Sequence, residues 1–298
     1  MFSDFVRTAE EISATTKKSA KEQILADYIS RLDDPDLERA VVFFSGSPFP
    51  RKEEKVTGVG WATIADAVSD VLGAPWNELG STERHGDMGD AVAELFGARG
   101  MVSSNVTLGD VADSFARLAL ISGSTKKREI LAALLARLGS AEARFIVKIL
   151  LSEFRIGLQE GLVESAIARA FARPLPAVRQ AHMFSGDLGA TALLARAGTL
   201  ESVSMTLFHP IALMLAQPEE DPAAIVGQLG EGALADDKYD GIRAQIHIDG
   251  GQVRIYSRTL DQITHRFPEV EAASRDISGS AILDGEIVAY DERILPFA

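Results

Sequence analysis

Residues 235–247 read ADDKYDGIRAQIH. Lys238 is crowded by Asp236, Asp237 and Asp240, and the residues after it alternate, with Ile242, Ala244, Ile246 and Ile248 on one side and Arg243, Gln245 and His247 on the other. A period of two predicts a half-buried strand. Asp249-Gly250-Gly251 then supplies residues that tolerate positive φ, and Val253 and Ile255 resume the alternation within Gln252 to Ser257, so a hairpin is expected. Lys238 is thereby placed at the mouth of a small antiparallel sheet.

A lysine among acids is commonly a solvated side chain paired with its neighbours, and such pairs are weak. The alternative is a nucleophile, which requires a neutral amine. Adjacent carboxylates push the other way by favouring the ammonium form. A nucleophilic Lys238 would need desolvation, a nearby cation such as Arg243 or Arg258, or a metal ion occupying the carboxylates. A polyphosphate substrate brings such an ion with it, because Mg²⁺ prefers hard oxygen ligands.

Lys238-Tyr239-Asp240-Gly241-Ile242-Arg243 resembles the K-x-D-G-x-R nucleotidyl-transfer motif of ATP-dependent DNA ligases of the archaeal and eukaryal replicative type. Ser257-Arg258, at the end of the next expected strand, is similar to the family's second short motif. Leu283-Asp284-Gly285-Glu286-Ile287-Val288 resembles its third. Taken alone, Asp284-Gly285 would read as a turn and Glu286 as an outward strand carboxylate. Asp236 stands where the family usually has Glu.

The resemblance implies that Lys238 attacks the α-phosphate of ATP and holds AMP as a phosphoramidate. It implies that Arg243 and Arg258 grip the ribose and phosphate, that Asp236 lies in the nucleotide site, that Asp240 orients the lysine or its metal, and that Glu286 holds the ribose or Mg²⁺. A guanidinium suits that task independently, since its forked donors match phosphate geometry and stay charged.

The rest of the sequence bounds this reading. With 298 residues the chain is long enough for two domains, and with 46% apolar and 24% charged residues it has the composition of an ordinary soluble protein. Cysteine is absent, which excludes disulfides and thiolate metal sites. The start, MFSDFVRTAEEISATTKK, has no basic segment followed by an apolar run, and no apolar stretch reaches the ~18 residues of a membrane span. A cytoplasmic, nucleoid-associated monomer is expected if the source is prokaryotic.

The net charge of −13 is awkward for a DNA partner, but it is unevenly spread. Residues 1–205 hold 23 Lys and Arg against 27 Asp and Glu, whereas residues 206–298 hold 7 against 16. Phosphates feel charge within a Debye length of roughly 8–10 Å, so clusters matter more than totals. Two clusters stand out, Thr15 to Lys21 and Ser124-Thr125-Lys126-Lys127-Arg128, each of which also reads as a helix start with a solvated face. The second is no P-loop, because the glycine spacing is missing.

To about residue 200 the apolar period is helical. Phe5, Ile12, Ile24, Leu25, Tyr28, Ile29 and Leu32 mark two helices that stop near Asp33-Asp34-Pro35. Thr107 to Asp110 has the spacing of a capping box and opens a helix to about Ile121. Ile130 to Leu138 form another apolar face closed by Gly139, Ser140 is expected to cap the next helix, and Leu162 to Phe171 form one ended by Pro174. Residues 149–171, ILLSEFRIGLQEGLVESAIARAF, are similar to a helix-turn-helix stretch of the ligase amino-terminal DNA-binding domain, and Ser185-Gly186-Asp187-Leu188-Gly189 resembles a loop just after it. Arg155 and Gly157 would allow a close phosphate approach beside a cation, and glycine backbones and helix starts are natural phosphate seats. A glycine-closed helix joint is the alternative. His209, before a proline and without a partner, reads as structural.

The expectation is an α+β protein. An all-helical DNA-binding domain over 1–204 would precede the antiparallel-β start of a nucleotidyltransferase (adenylation) domain over 205–298. The implied function is sealing of nicked double-stranded DNA through a lysyl-AMP intermediate with ATP and Mg²⁺, in replication, repair and recombination. In the family further adenylation strands and an OB-fold follow the third motif, so a truncated chain, inactive alone, is expected. The competing readings are an RNA ligase or mRNA-capping nucleotidyltransferase, against which the long helical extension speaks, and a non-catalytic DNA-binding protein.

Overall fold

The computed structural model describes residues 1–298 except 54, 79–85, 212–217, 231, 233 and 296–298; of Arg51 only the backbone is described. Phe2, Phe5, Val6, Ala9 and Ile12 recur at three- and four-residue intervals, which puts them on one face of α1 (Phe2–Ser13), where all are buried. The same logic builds α2 (Lys18–Ile29), α3 (Asp34–Phe44), α4 (Trp61–Leu72), α5 (Met88–Ala98) and α6 (Leu108–Leu120). It continues through α7 (Ser124–Leu135), α8 (Ser140–Leu150), α9 (Glu160–Ala170), α10 (Leu175–Ser185) and α11 (Leu188–Ala197).

Their apolar faces share one core, centred on phenylalanines. The Phe5 ring meets Phe44 at 4.4 Å and Phe43 at 6.1 Å, and Phe145 meets Phe154 at 5.6 Å. Burying each such ring contributes about 1.5–3 kcal/mol before packing terms.

The helix ends have specific causes. Asp33 caps α3 by accepting from the Asp36 N–H, with Pro35 in the first turn. Thr107 and Asp110 form the expected capping box of α6. At α8 the expectation is corrected. Gly139, not Ser140, is the N-cap, and its N–H donates to the Glu142 carboxylate at 3.0 Å. The Ser140 hydroxyl donates instead to the Ala93 carbonyl of α5, a tertiary bond that local spacing could not show.

The chain divides into two compact units, Met1–Ser204 and Met205–Ala298. The second contains α12 (Pro222–Leu229), β1 (Ile242–Asp249), β2 (Gln252–Ser257), α13 (Pro268–Ser274), β3 (Ser280–Ile287), β4 (Tyr290–Asp291) and β5 (Arg293–Ile294). β1 is central in the three-stranded antiparallel order β2-β1-β3. Gly250 and Gly251, both at positive φ, make the β1–β2 turn, as the hairpin requires. Asp284-Gly285 is not a turn but lies inside β3, with Gly285 opposite Ala244.

One face of the sheet, with Ala244, Ile248, Val253 and Ile255, packs against Ile263, Phe267 and Val270. The other face was expected to be solvated. It is buried as well, with Gln245 2% and His247 0% exposed. The segment before β1 covers it. Phe208 N–H donates to His247 Nδ1 (2.9 Å), Ile211 N–H to Gln245 Oε1 (2.9 Å), and the Tyr256 hydroxyl to the Phe208 carbonyl (2.8 Å). Those bonds satisfy polar side chains that would otherwise be buried at a cost. The α+β class expected from the sequence is the class found. Among the described residues no helix is long and apolar enough to cross a membrane.

Candidate functional site

The three short motifs of the second unit meet at one end of the sheet. β1 begins at Ile242, opposite the last residue of β3, Ile287, and β2 ends at Ser257, opposite Ala244. Antiparallel pairing therefore brings Gly241, Arg258 and Glu286 to one sheet end although they are far apart in sequence. Gly241 is required there. A Cβ at this position would collide with the Ile287 carbonyl and the Val288 side chain, so only glycine lets the loop pass against β3. Its N–H donates to Glu286 Oε1 at 3.2 Å.

Arg243 faces Glu286 in register but bonds diagonally to Asp284, Nε to Oδ1 at 3.2 Å and Nη2 to Oδ2 at 2.8 Å. Those hydrogen bonds, outweighing a small desolvation, push the guanidinium further above its ordinary range. Asp284 thus has a role that the motif alone did not assign. The available signal was the i, i+2 spacing of Asp284 and Glu286, which puts two carboxylates on one strand face.

Lys238 is exposed, and among the described residues it forms no ion pair with Asp236, Asp237 or Asp240. The Asp236 carboxylate accepts instead from the Asp237 N–H at 2.8 Å. Asp240 and Arg258 are also exposed, without a hydrogen bond or ion pair among the described residues. The Ser257 hydroxyl organises the turn in which Arg258 sits, accepting from the Thr259 and Asp261 N–H groups. The sheet end therefore holds Arg243 oriented by Asp284 and Glu286 bonded to Gly241, and among the described residues Lys238, in the exposed segment leading to Gly241, and Arg258, just after β2, are without a partner.

In the helical unit the basic candidates fall in two separate places. Lys126 projects from the first turn of α7 with no partner among the described residues. Lys127 is committed, its Nζ donating to the Thr57 carbonyl at 2.6 Å, and Arg128 pairs with Asp70 at 2.9 Å. Arg155 has φ of 24° in the turn after α8, is 69% exposed and lies 3.5 Å from Glu153. Gly157 has φ of 71°, and buried Lys21 from the other basic cluster donates to the neighbouring Ile156 carbonyl at 2.5 Å. The turn carrying Arg155 and Gly157 thus adjoins the start of α2. No hydrogen bond or ion pair joins it to Lys126 or Lys127 among the described residues.

A cleft of about 310 Å³ lies beside Arg155, lined also by Glu10, Arg144 and Lys148. Arg144 and Lys148 are already paired with Asp90 and Asp87. Ser185 to Gly189 is a helix joint, with Gly186 left-handed after α10, Asp187 capping α11 and bonded to Lys52 at 2.9 Å, and Gly189 tight against the Glu38 carbonyl.

Residues 1–168 match the family model described as DNA ligase N terminus, and residues 213–298 match that described as ATP dependent DNA ligase domain. This chain belongs to the ATP-dependent DNA ligase family. It is 41% identical over 285 residues to a probable DNA ligase of Koribacter versatilis, covering 95% of this chain and 49% of that protein. It is 34% identical over 365 residues to a probable DNA ligase of Opitutus terrae, covering 100% of this chain and 36% of that protein. To a DNA ligase of Archaeoglobus fulgidus it is 31% identical over 309 residues, covering 99% and 55%. The chain therefore spans about half the length of most of these ligases.

Ligase chemistry implies a divalent cation. Among the described residues no three His, Cys, Asp or Glu side chains converge on one point, so the mouth holds no protein cage for a metal. Asp240 and Glu286 offer single carboxylates, the way Mg²⁺ is held when substrate phosphates and water fill its remaining positions.

Proposed function

We propose that the second unit binds MgATP at the mouth of the sheet and transfers AMP to Lys238, and that the first unit grips nicked duplex DNA, the two together serving an ATP-dependent DNA ligase. The observation that supports this reading is that Gly241, three residues after Lys238, lies against β3 at the sheet end where Arg243, Glu286 and the end of β2 before Arg258 also fall.

In the proposed reaction a neutral Lys238 Nζ attacks the α-phosphorus. A P–N bond forms, the bond to pyrophosphate breaks, and the amine loses its proton to solvent. Transfer of this kind depends on positioning and charge neutralisation more than on covalent help. Arg243, held by Asp284, and Arg258 would supply forked donors to the ribose and phosphate oxygens. Asp236 and Asp240 would set the lysine loop's orientation, and Asp240 and Glu286 would hold the Mg²⁺ that arrives with the nucleotide. That ion would neutralise phosphate charge.

On the helical unit, Lys126, Arg155 and the Gly157 backbone would contact DNA phosphates, with Lys127 supporting the Thr57 turn. The setting proposed is the prokaryotic cytoplasm, on the nucleoid, with the protein acting as a monomer in replication, repair and recombination.

Nick sealing by the intact protein tests the reading. A labelled duplex with one 5′-phosphorylated nick should become a continuous strand with ATP and Mg²⁺ and not with either omitted. Sealing that ignores ATP would refute it, and covalent AMP capture without any use of DNA would point to a capping-type transferase.

A further inference from the structure

The segment that carries Lys238 has little to hold it. Residues 234–240 are all exposed, and the hydrogen bond they make among the described residues, Asp237 N–H to Asp236, is internal. The next residue, Gly241, is where the segment touches the sheet. It does so through the close pass against Ile287 and through its N–H to Glu286 Oε1. Glu286 is available for that bond because its register partner Arg243 is taken by Asp284, two residues earlier on the same face.

We propose that Glu286 is a positioning residue for Lys238, pinning the lysine loop to β3 as the acceptor of the Gly241 N–H while its second oxygen stays free for the nucleotide. This rests on the reading of Lys238 as nucleophile. A carboxylate is the stronger acceptor for an N–H, and here it acts at the hinge where loop becomes strand. The consequence is that hydrogen-bond acceptance at position 286, and not only negative charge, sets the rate of AMP transfer.

The two contributions separate with Glu286→Gln, which keeps an acceptor oxygen and removes the charge, and Glu286→Ala, which removes both. In the 298-residue chain the Gly241 amide, followed by NMR chemical shift and hydrogen exchange, should read as hydrogen-bonded in the unsubstituted protein. It should stay near that bonded position in Glu286→Gln, and shift toward an exposed amide in Glu286→Ala. In the intact protein at saturating ATP, Glu286→Gln should recover AMP transfer by about tenfold over Glu286→Ala, the worth of one such bond. A Gly241 amide that is the same in all three proteins, or Glu286→Gln as slow as Glu286→Ala, overturns the proposal. Failure of the wild-type protein to label Lys238 would instead overturn the nucleophile assignment, and the amide comparison would still decide whether Glu286 holds the loop.

Discussion

Arg243 and Asp284 are joined across the β1–β3 ladder by two hydrogen bonds of 3.2 and 2.8 Å, diagonal to the strand register, which sets Arg243 opposite Glu286. The pair holds a guanidinium in one orientation at the sheet mouth. Both side chains are more than a third exposed, so its effect on stability is small.

Asp284→Ala should therefore change unfolding free energy by less than about 1 kcal/mol. It should slow AMP transfer about tenfold or more, because Arg243 loses its orientation. Urea unfolding and single-turnover adduct formation check the two halves. A large stability loss with unchanged transfer would place the pair in the fold and not in the site.

The sheet should weaken in acid through His247. Burial, and secondarily the neighbouring His209, hold its imidazole below the ordinary range, and Nδ1 must stay unprotonated to accept from Phe208. Arg254, its register partner, adds further positive charge on that face. The unfolded chain takes the proton near pH 6.5 and the folded one only at lower pH. Stability is therefore fully present above about pH 6.5 and falls below it, by up to about 1.4 kcal/mol per pH unit. Urea unfolding read from β1 NMR signals should show this slope, and His247→Asn should flatten it.

Two glycines should respond in opposite directions. Gly189→Ala places a Cβ 2.7 Å from the Glu38 carbonyl where α11 crosses α3, and overpacking of that kind costs about 1–3 kcal/mol. Gly97→Ala in α5 meets nothing closer than 3.7 Å and should stabilise by roughly 0.5–1 kcal/mol. Thermal unfolding of both variants measures the difference.

Those elements show what the sequence could reveal. Several helices were legible because the apolar period and the Thr107–Asp110 box are local signals, whereas Asp33-Asp34-Pro35, read as a stop, opens α3 with Asp33 as its cap. The hairpin was legible because Asp249-Gly250-Gly251 interrupts a clean alternation. Burial of Gln245 and His247 was not, since their cover lies 34 and 39 residues away along the chain and carries no periodic mark. Lys127 read as a free cation for the same reason, its carbonyl partner being 70 residues distant. Arg243's choice of Asp284 depends on strand register, which one strand's pattern does not give.

DNA affinity should fall steeply with salt and show no sequence preference. Lys126→Glu should reduce the slope of log affinity against log salt by about 0.9 for the phosphate contact it removes. Lys127→Glu should also loosen the Thr57 turn, so a drop in melting temperature should accompany its binding loss. Fluorescence anisotropy of a nicked duplex over about 50–200 mM salt reads the slope. An unchanged slope for Lys126→Glu would remove that residue from the interface.

The central claim is that Lys238 carries the nucleotide. The direct measurement is incubation of the intact protein with α-labelled ATP and Mg²⁺, denaturing gel analysis, and mass spectrometry of the labelled peptide, run beside Lys238→Ala. An acid-labile AMP adduct on Lys238 that disappears in the alanine variant, together with nick sealing, is the predicted result. Label at wild-type level in Lys238→Ala, or mapped to another lysine, would contradict the account.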